Sequence, residues 1–238
     1  KIINFEINRL KLFEKQTANK SNLNFIVSKI DSQNIDSKNM VTIPLGLNFD
    51  LLSNINNSMP ANNNIIFSGN MNYSPNIVAL RWFYDKCWKY ISSKNYRCKL
   101  FIVGRNPPEE IINMFITEER IIVTGEVDSI YDYIKASNVS IAPMQSGSGM
   151  QNKILEAMAL GIPVITTSLG LGDLYAKKDK DILVADQPLE FSEKVLNLLN
   201  NKVTAREVGL SGKKYVYKCH NNLDISHVFI KKIFSLFK

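Results

Sequence analysis

The sequence predicts an α/β protein whose core is a doubly wound, Rossmann-like parallel sheet, and three observations support this prediction. From Asn64 onward, short apolar runs rich in β-branched residues alternate with segments of helical periodicity. The runs are apolar at nearly every position, as are strands that are covered on both faces. Helix-initiation signals stand between several runs. The six predicted strands comprise residues 65–69, 100–104, 121–125, 139–143, 163–167 and 182–186.

The helix-initiation signals are prolines and acidic residues at the expected positions. Ser74 precedes Pro75, Pro108 precedes two glutamates, and Asp128 precedes Ile130. Proline fits the first helical turn because the N–H that it lacks has no partner there, and acidic side chains stabilise the positive end of the helix dipole. Three further helices are predicted after the last strand, over residues 188–200, 205–218 and 223–237.

The pattern before Asn64 differs from the rest of the chain. A helical segment over residues 2–15 is followed by two strand-like runs, 23–28 and 41–45, separated by a polar turn. Residues 49–63 are rich in Asn and Ser, which is linker composition. Since the first residue is a lysine, we expect the chain to be part of a longer protein. We therefore predict that residues 1–48 are the remnant of another domain, 49–63 a linker, and 64–218 the main domain.

Composition excludes several classes of protein. The net charge of +7 comes from scattered lysines, which favours an ordinary charged surface over a nucleic-acid or lipid site. Three cysteines without close spacing indicate neither a disulfide framework nor a zinc site, and fit a reducing compartment. No apolar run approaches the roughly 18 residues of a membrane span. We therefore expect a soluble protein that does not bind nucleic acid.

The segment with the clearest chemical signal is residues 146–164, SGSGMQNKILEAMALGIPV, in which a Gly-Ser-Gly turn leads from a strand into a helix. Glycines at 147 and 149 allow backbone N–H groups to point at an anion, and the helix N-terminus adds unpaired donors and its dipole. Ligands of doubly wound sheets bind beyond the carboxyl ends of the strands. The segment therefore predicts a diphosphate site.

Two charged residues of this segment lie on one face of the predicted helix. Lys153 is placed to reach a phosphate, and Glu156, in an otherwise apolar helix, needs a polar partner such as the two hydroxyls of a ribose. The alternative is that Glu156 pairs with Lys153 on a solvated face and that the glycines form an ordinary turn. The spacing alone leaves both interpretations open.

Residues 146–170 resemble the donor-site signature of the retaining glycosyltransferases with the GT-B fold (group 1, family 4 like), which include many lipopolysaccharide and exopolysaccharide sugar transferases. Segments 67–83, 100–108, 121–134 and 139–144 follow in the family's order, and 25–31 with 41–48 resemble the end of its acceptor domain. The resemblance implies that the chain is the C-terminal half of a GT-B fold. Residues 1–48 are then the remnant of the N-terminal acceptor domain, and 219–238 form a helix that crosses back toward it.

The resemblance also implies a reaction, which is transfer of a sugar from a nucleoside diphosphate sugar to an acceptor hydroxyl with retention, in bacterial cell-surface glycan synthesis. The expected partners are the nucleotide sugar and a glycan or lipid-linked glycan, with no metal or other cofactor, in the cytoplasm or at the inner face of the membrane. Catalytic residues that activate the acceptor are expected on the missing domain, so the chain alone is expected to be inactive. The implied donor-binding residues are Gly69, Asn70, Arg105, Gly125, Val127, Ser148, Gly149, Met150, Gln151, Lys153 and Glu156.

The sequence departs from the family at three positions. Ser148 stands where many members have a glutamate, and Asn70 and Asn76 stand where many have arginine and lysine. Lys153 is similar to the lysine of one branch of the family and compensates for the missing basic residues.

Other functions remain open at this stage. The departures support a non-catalytic nucleotide-sugar-binding subunit as one alternative. A sugar-nucleotide epimerase of the same architecture is the other, but His220 and His227 lie outside the strand-end loops. For the apolar segment 223–237 the crossing helix is favoured over a membrane-surface helix. The oligomeric state is left open.

Overall fold

The computed structural model describes residues 2–35, 37–53, 63–147 and 149–237. The chain forms two units, the smaller made of Lys1–Asn48 with Cys219–Lys238 and the larger of Phe49–Lys218. The assignment of acceptor-domain remnant, linker and donor domain stays a prediction, and most of the predicted linker, residues 54–62, lies outside the described residues.

Strands in the described part of the chain occur where the apolar runs predict them. They are, in chain order, β1 (Asn24–Ile26), β2 (Met40–Thr42), β3 (Asn64–Ser68), β4 (Lys99–Val103), β5 (Ile121–Gly125), β6 (Val139–Ala142), β7 (Val164–Thr166) and β8 (Leu183–Val184). The helices are α1 (Ile2–Lys20), α2 (Lys29–Ile35), α3 (Asp50–Ser53), α4 (Ser74–Phe83), α5 (Lys89–Lys94), α6 (Glu109–Phe115), α7 (Ile130–Lys135), α8 (Asn152–Ala159), α9 (Ser168–Leu171), α10 (Pro188–Asn200), α11 (Lys202–Cys219) and α12 (Asn222–Phe234).

The larger unit contains a parallel sheet with the strand order β5-β4-β3-β6-β7-β8, which confirms the predicted doubly wound α/β fold. The chain moves outward from β3 through β4 to β5 and then returns to place β6 on the other side of β3. The crevice between β3 and β6 is thus the topological switch point, where sheets of this kind bind ligands.

The core of the larger unit follows from the two-sided apolar strands. Side chains of β3 and β6 are buried on both faces of the sheet. On one face, α10 inserts Phe191 against Phe83 of α4, with their ring centroids 6.1 Å apart and the rings edge to face. This packing holds α4, whose first turn borders the switch point.

The helices begin where the proline and acidic signals predict, although the N-cap of α7 is not the acidic residue. The cap of α7 is Ser129, whose Oγ accepts a hydrogen bond from the backbone N–H of Asp132, rather than Asp128. The prediction of a polar turn between the first two strands is wrong, because α2 occupies it. Ser28 initiates that helix, since its Oγ accepts a hydrogen bond of 3.0 Å from the N–H of Asp31. A π-helical turn, Tyr84–Trp88, joins α4 to α5.

In the smaller unit, β1 and β2 form a parallel pair, and α12 packs on it through Phe229, whose ring centroid lies 4.4 Å from that of Phe25. The imidazole of His220 is buried and its Nδ1 lies 2.8 Å from the carbonyl oxygen of Leu45. Burial lowers the pKa of His220, and the hydrogen bond with Leu45 opposes this effect. His220 therefore holds two segments of this unit together.

Within the described residues, the helices are all too short or too polar to cross a lipid bilayer.

The ends of β3 and β4 meet at two glycines that leave no room for side chains. Gly104 has φ +156, and a Cβ there would overlap the carbonyl oxygen of Gly69 at the end of β3. The N–H of Gly69 donates to the carbonyl of Val103 at 3.0 Å, and the N–H of Gly104 donates to that of Gly125 at 3.2 Å. The three strand ends are therefore held together at the edge of the crevice.

We expect Gly104→Ala to lower the free energy of unfolding by about 3 kcal/mol or more, because the new methyl group meets backbone atoms that cannot rotate away. Gly125→Ala is the control, since a Cβ there meets nothing within 4 Å at φ +69. It should cost only about 1–2 kcal/mol of backbone strain. Urea denaturation measures both variants, and equal losses would contradict the close approach of β3 and β4.

Candidate functional site

A pocket of about 670 Å³ opens beyond the carboxyl ends of β3, β4 and β5 and is bordered by the start of α8, which follows β6 on the other side of the switch point. This volume lies in the range of sites that bind small molecules and cofactors. The pocket is lined by Ser68, Gly69, Asn70, Tyr73, Asn76, Gly104, Arg105, Glu126, Val127, Ile130, Met150, Gln151, Asn152, Lys153 and Glu156.

Most of the residues predicted to bind the donor line this pocket. These are Gly69, Asn70, Arg105, Val127, Met150, Gln151, Lys153 and Glu156. Gly125 and Gly149 are not among the lining residues, and Ser148 lies outside the described residues. Gly125 instead accepts the hydrogen bond from Gly104. The roles of all these residues in donor binding stay predictions.

The predicted donor-binding residues do not include six that line the pocket, Ser68, Tyr73, Gly104, Glu126, Ile130 and Asn152, and Asn76 was considered only as a departure from the family. The signal that could have found them is proximity along the chain, since the last residue of a parallel strand and the first turn of the next helix share one edge of the sheet. Tyr73 immediately precedes α4, and Ile130 begins α7.

The N-termini of three helices, α4, α7 and α8, border the pocket. Tyr73 is the N-cap residue of α4 and Gln151 that of α8, and neither cap residue's side chain accepts a hydrogen bond from its helix. The glycine turn packs on the start of α4, because a Cβ on Gly147 would lie 3.2 Å from the Cβ of Pro75. Helix N-termini carry unpaired N–H groups and partial positive charge, so the pocket favours an anion.

Lys153 brings a buried ammonium group to the pocket wall. Its residue is 7% exposed, and its Nζ donates a hydrogen bond to Oδ1 of Asn76 and lies 3.7 Å from Sδ of Met144. The ammonium also lies 4.5 Å from the centroid of the Phe67 ring, at a distance that permits a cation–π interaction. Burial lowers the pKa of Lys153 to about 8, and the charge of Glu156 opposes this effect. The pocket therefore holds a cation that is incompletely compensated.

Glu156 lies one helical turn after Lys153 and is half-buried. Burial raises the pKa of its carboxyl group, and the charge of Lys153 offsets part of this effect. No hydrogen bond or ion pair joins the Glu156 carboxylate to any residue that the structure describes. The alternative of a Lys153–Glu156 pair on a solvated face is wrong, because Lys153 is buried and donates to Asn76.

Arg105 is exposed at the rim of the pocket, and in the described part of the chain its guanidinium has no ion pair. A surface salt bridge, the other common role of an exposed arginine, is therefore not observed for Arg105. The charged residues that line the pocket are Arg105, Glu126, Lys153 and Glu156. Among the described residues no group of three His, Cys, Asp or Glu side chains is placed to hold a metal ion. That the site needs no metal ion stays a prediction.

Comparison with known proteins identifies the family. The model of the family described as "Glycosyl transferases group 1" matches residues 62–201, which is more than half of the chain and includes the whole pocket. The chain belongs to this family.

One relative and two solved structures show what the chain is similar to. The chain is 25% identical over 204 residues to the capsular polysaccharide biosynthesis glycosyltransferase CapM of Staphylococcus aureus, covering 79% of this chain and 53% of CapM. A mutant of S. aureus TarM in complex with fondaparinux, alpha-GlcNAc-glycerol and UDP superposes with a TM-score of 0.77 at 18% identity, over 91% of this chain and 45% of TarM. HepE of Anabaena in complex with UDP and glucose superposes with a TM-score of 0.73 at 12% identity, over 92% of this chain and 64% of HepE.

At these identities the structural matches show the fold alone, an α/β fold with a six-stranded parallel sheet as in GT-B glycosyltransferases. The predicted fold class is thus confirmed. The chain spans about half the length of two curated relatives that it matches, 44% of a 44.6 kDa protein of Klebsiella pneumoniae and 53% of CapM.

We expect the buried ammonium to make folding pH-dependent. Because the pKa of Lys153 is lowered from 10.5 to about 8, the unfolded chain binds more protons between these pH values, and the free energy of unfolding rises with pH there. Charging Lys153 in the native state at pH 7 costs on the order of 3 kcal/mol. The stability of wild type relative to Lys153→Met should therefore increase by up to about that amount between pH 7 and 10.

Urea denaturation of both proteins at pH 7, 8.5 and 10 measures this difference. Titrating groups that do not interact with Lys153 are common to the two proteins and cancel. Lys153→Met also leaves Oδ1 of Asn76 without its donor, but that cost does not vary with pH in this window. A difference that stays constant from pH 7 to 10 would contradict the burial of the charge.

Proposed function

We propose that the chain is the donor-binding, C-terminal half of a retaining glycosyltransferase that transfers a sugar from a nucleoside diphosphate sugar to an acceptor hydroxyl. The reaction belongs to capsular or cell-wall polysaccharide synthesis. The observation that carries the proposal is the placement of buried Lys153 and half-buried Glu156 one turn apart on α8, at a pocket bordered by the N-termini of α4 and α8. Family membership and the similarity to CapM support it.

The diphosphate binds at the N-terminus of α8. In this proposal the N–H groups of its first turn and of Met150 and Gln151 bind the anion, and Lys153 supplies a charge-assisted hydrogen bond. Met150, Gln151 and Lys153 all line the pocket. When the bond between the sugar and the diphosphate breaks, negative charge develops on the leaving oxygen. Preformed dipoles and a buried cation stabilise that charge without rearrangement, which is the effect that dominates many such reactions.

The ribose binds at Glu156. An ionised carboxylate accepts hydrogen bonds from two neighbouring hydroxyl groups, and Glu156 has no competing partner in the described part of the chain. Because Glu156 is one turn from Lys153, the same helix holds the ribose and the phosphates at a set separation. The nucleobase then lies toward Val127 and Ile130, with Arg105 at the rim.

The remaining parts of the proposal concern the rest of the reaction. The acceptor is a glycan or a lipid-linked glycan, and the residues that activate its hydroxyl group lie on the other half of the protein. The reaction takes place in the cytoplasm or at the inner face of the membrane and uses no metal ion. The bound UDP of TarM and of HepE is consistent with a nucleotide sugar as donor.

A non-catalytic nucleotide-sugar-binding subunit is the second candidate. Asn70 and Asn76 line the pocket at the places where the resemblance puts basic residues in many members of the family. Four charged residues line the pocket, two of each sign, so the diphosphate meets little net positive charge. Nucleotide binding without sugar transfer, with both halves of the protein present, would favour this candidate.

We expect Glu156→Gln to weaken binding of a nucleoside diphosphate about tenfold or more, because the ribose hydroxyls lose a charged acceptor. Calorimetry with UDP, GDP and ADP measures the affinities of both proteins. Glu193→Gln, which removes an exposed carboxylate from α10, is the matched control and should bind as wild type does.

The 2′,3′-dideoxy form of the tightest nucleotide makes the test specific. The dideoxynucleotide should bind wild type as weakly as the ribonucleotide binds Glu156→Gln. Glu156→Gln should not weaken binding of the dideoxynucleotide any further. If Glu156→Gln weakens binding of the ribonucleotide and of the dideoxynucleotide by the same factor, Glu156 does not contact the ribose.

We expect the 238-residue chain to bind the nucleotide sugar but to transfer the sugar at least about 100-fold more slowly than a protein that also contains the acceptor-binding half. The difference arises because acceptor activation is missing. Product formation is followed with each protein, and the anomeric proton in the NMR spectrum of the product reports retention. Equal rates would refute the division of roles, and an inverted product would refute retention.

A further inference from the structure

Asn76, in the first turn of α4, is buried beside the pocket with both ends of its carboxamide hydrogen-bonded. The residue is 4% exposed. Its Nδ2 donates to the carbonyl oxygen of Asn70 at 2.8 Å, and its Oδ1 accepts from Nζ of Lys153. A side chain held at both ends in this way has one orientation.

The bond to Asn70 determines which carboxamide atom faces the ammonium. Because a backbone carbonyl accepts only, the nitrogen of Asn76 must point to Asn70, and its oxygen is turned to Lys153. Gly69 leaves the space for this arrangement, since a Cβ there would lie 2.9 Å from Nδ2 of Asn76. The loop after β3 therefore orients Asn76, and Asn76 orients the lysine.

The other groups around the ammonium are also uncharged or distant. The ring of Phe67 lies on β3 and the sulfur of Met144 follows β6. Glu156 interacts with Lys153 through its charge but forms no ion pair with it in the described structure. Arg105 and Glu126 belong to the pocket wall. The positive charge is thus held in place without being neutralised by a contacting carboxylate.

We propose that Asn76 is a positioning residue, which fixes the Lys153 ammonium at the pocket wall through an uncharged oxygen and leaves its charge available to an anionic ligand. The proposal rests on the proposed function in so far as that anion is the diphosphate of a nucleotide. An uncharged acceptor suits this task, because a carboxylate at the same place would repel the diphosphate and compete for the lysine.

The experiment compares Asn76→Asp and Asn76→Ala with wild type. Aspartate has nearly the same shape but adds a negative charge, and alanine removes the acceptor. Calorimetry with UDP, GDP and ADP at pH 7 should show both variants binding the tightest nucleotide about tenfold or more weakly. Asn197→Asp, which makes the same charge change at an exposed position of α10, is the control and should bind within about twofold of wild type.

The pH dependence distinguishes positioning from a general structural role. In wild type the affinity should fall as the pH rises above about 8, where Lys153 loses its proton. With Asn76→Asp the fall should begin at higher pH, because the carboxylate favours the charged lysine, and with Asn76→Ala at lower pH. NMR follows the protonation of Lys153 without any ligand, through its Cε resonance, which is assigned by its absence in Lys153→Met. The pH midpoint of this titration should move up in Asn76→Asp and down in Asn76→Ala.

A double substitution tests whether Asn76 acts through Lys153. In the Lys153→Met protein, Asn76→Ala should reduce affinity little further, whereas independent roles give additive losses. Two results overturn the inference and leave the proposed function intact. One is that Asn76→Asp binds the nucleotide as tightly as wild type does. The other is that both variants bind it more weakly but the pH midpoint of binding is unchanged. If wild type binds none of the three nucleotides, the proposed function fails, and the role of Asn76 toward a diphosphate fails with it.

Discussion

The site depends on the burial of one ammonium group, that of Lys153, at the carboxyl edge of a parallel sheet. A buried cation is costly unless polar groups surround it, and here Asn76, the sulfur of Met144 and the ring of Phe67 do so. None of these groups carries a charge. The arrangement lowers the pKa of the lysine to about 8 and leaves a positive charge facing the pocket. The chemistry proposed for this protein follows from this positive charge, which no contacting carboxylate neutralises.

The sheet makes this burial possible. Because β6 returns to the side of β3 opposite β4, the loops after β3 and β6 diverge and leave a crevice between them. Two helices, α4 and α8, begin at that crevice, so that Asn76 from the one meets Lys153 from the other. Glycines at 69 and 104 allow the strand ends to approach closely enough to form the floor. The strand order thus brings the cavity, the two helix N-termini and the Lys153 ammonium to the same edge of the sheet.

Much of the fold could be predicted from the sequence, because two-sided burial makes parallel strands apolar at almost every position. All six strands of the large sheet were found in this way, and the helices that follow proline or acidic residues begin where predicted. The helix α2 was missed, because its sequence, KIDSQNI, is polar and none of its residues is buried. The π-helical turn Tyr84–Trp88 was missed because the residues on both sides of it are helical and no start or stop signal marks it.

The sequence by itself determined the glycine turn and the spacing of Lys153 and Glu156 on one helical face, and from them it predicted an anionic ligand. These are local properties, which follow from the geometry of a single helix and its first turn. Tertiary structure alone decided that Lys153 binds Asn76, which is 77 residues away in the chain, rather than Glu156. The physical reason is that a buried cation binds the polar group that the packed sheet places within hydrogen-bonding distance. A local sequence pattern does not specify which strand ends lie next to each other.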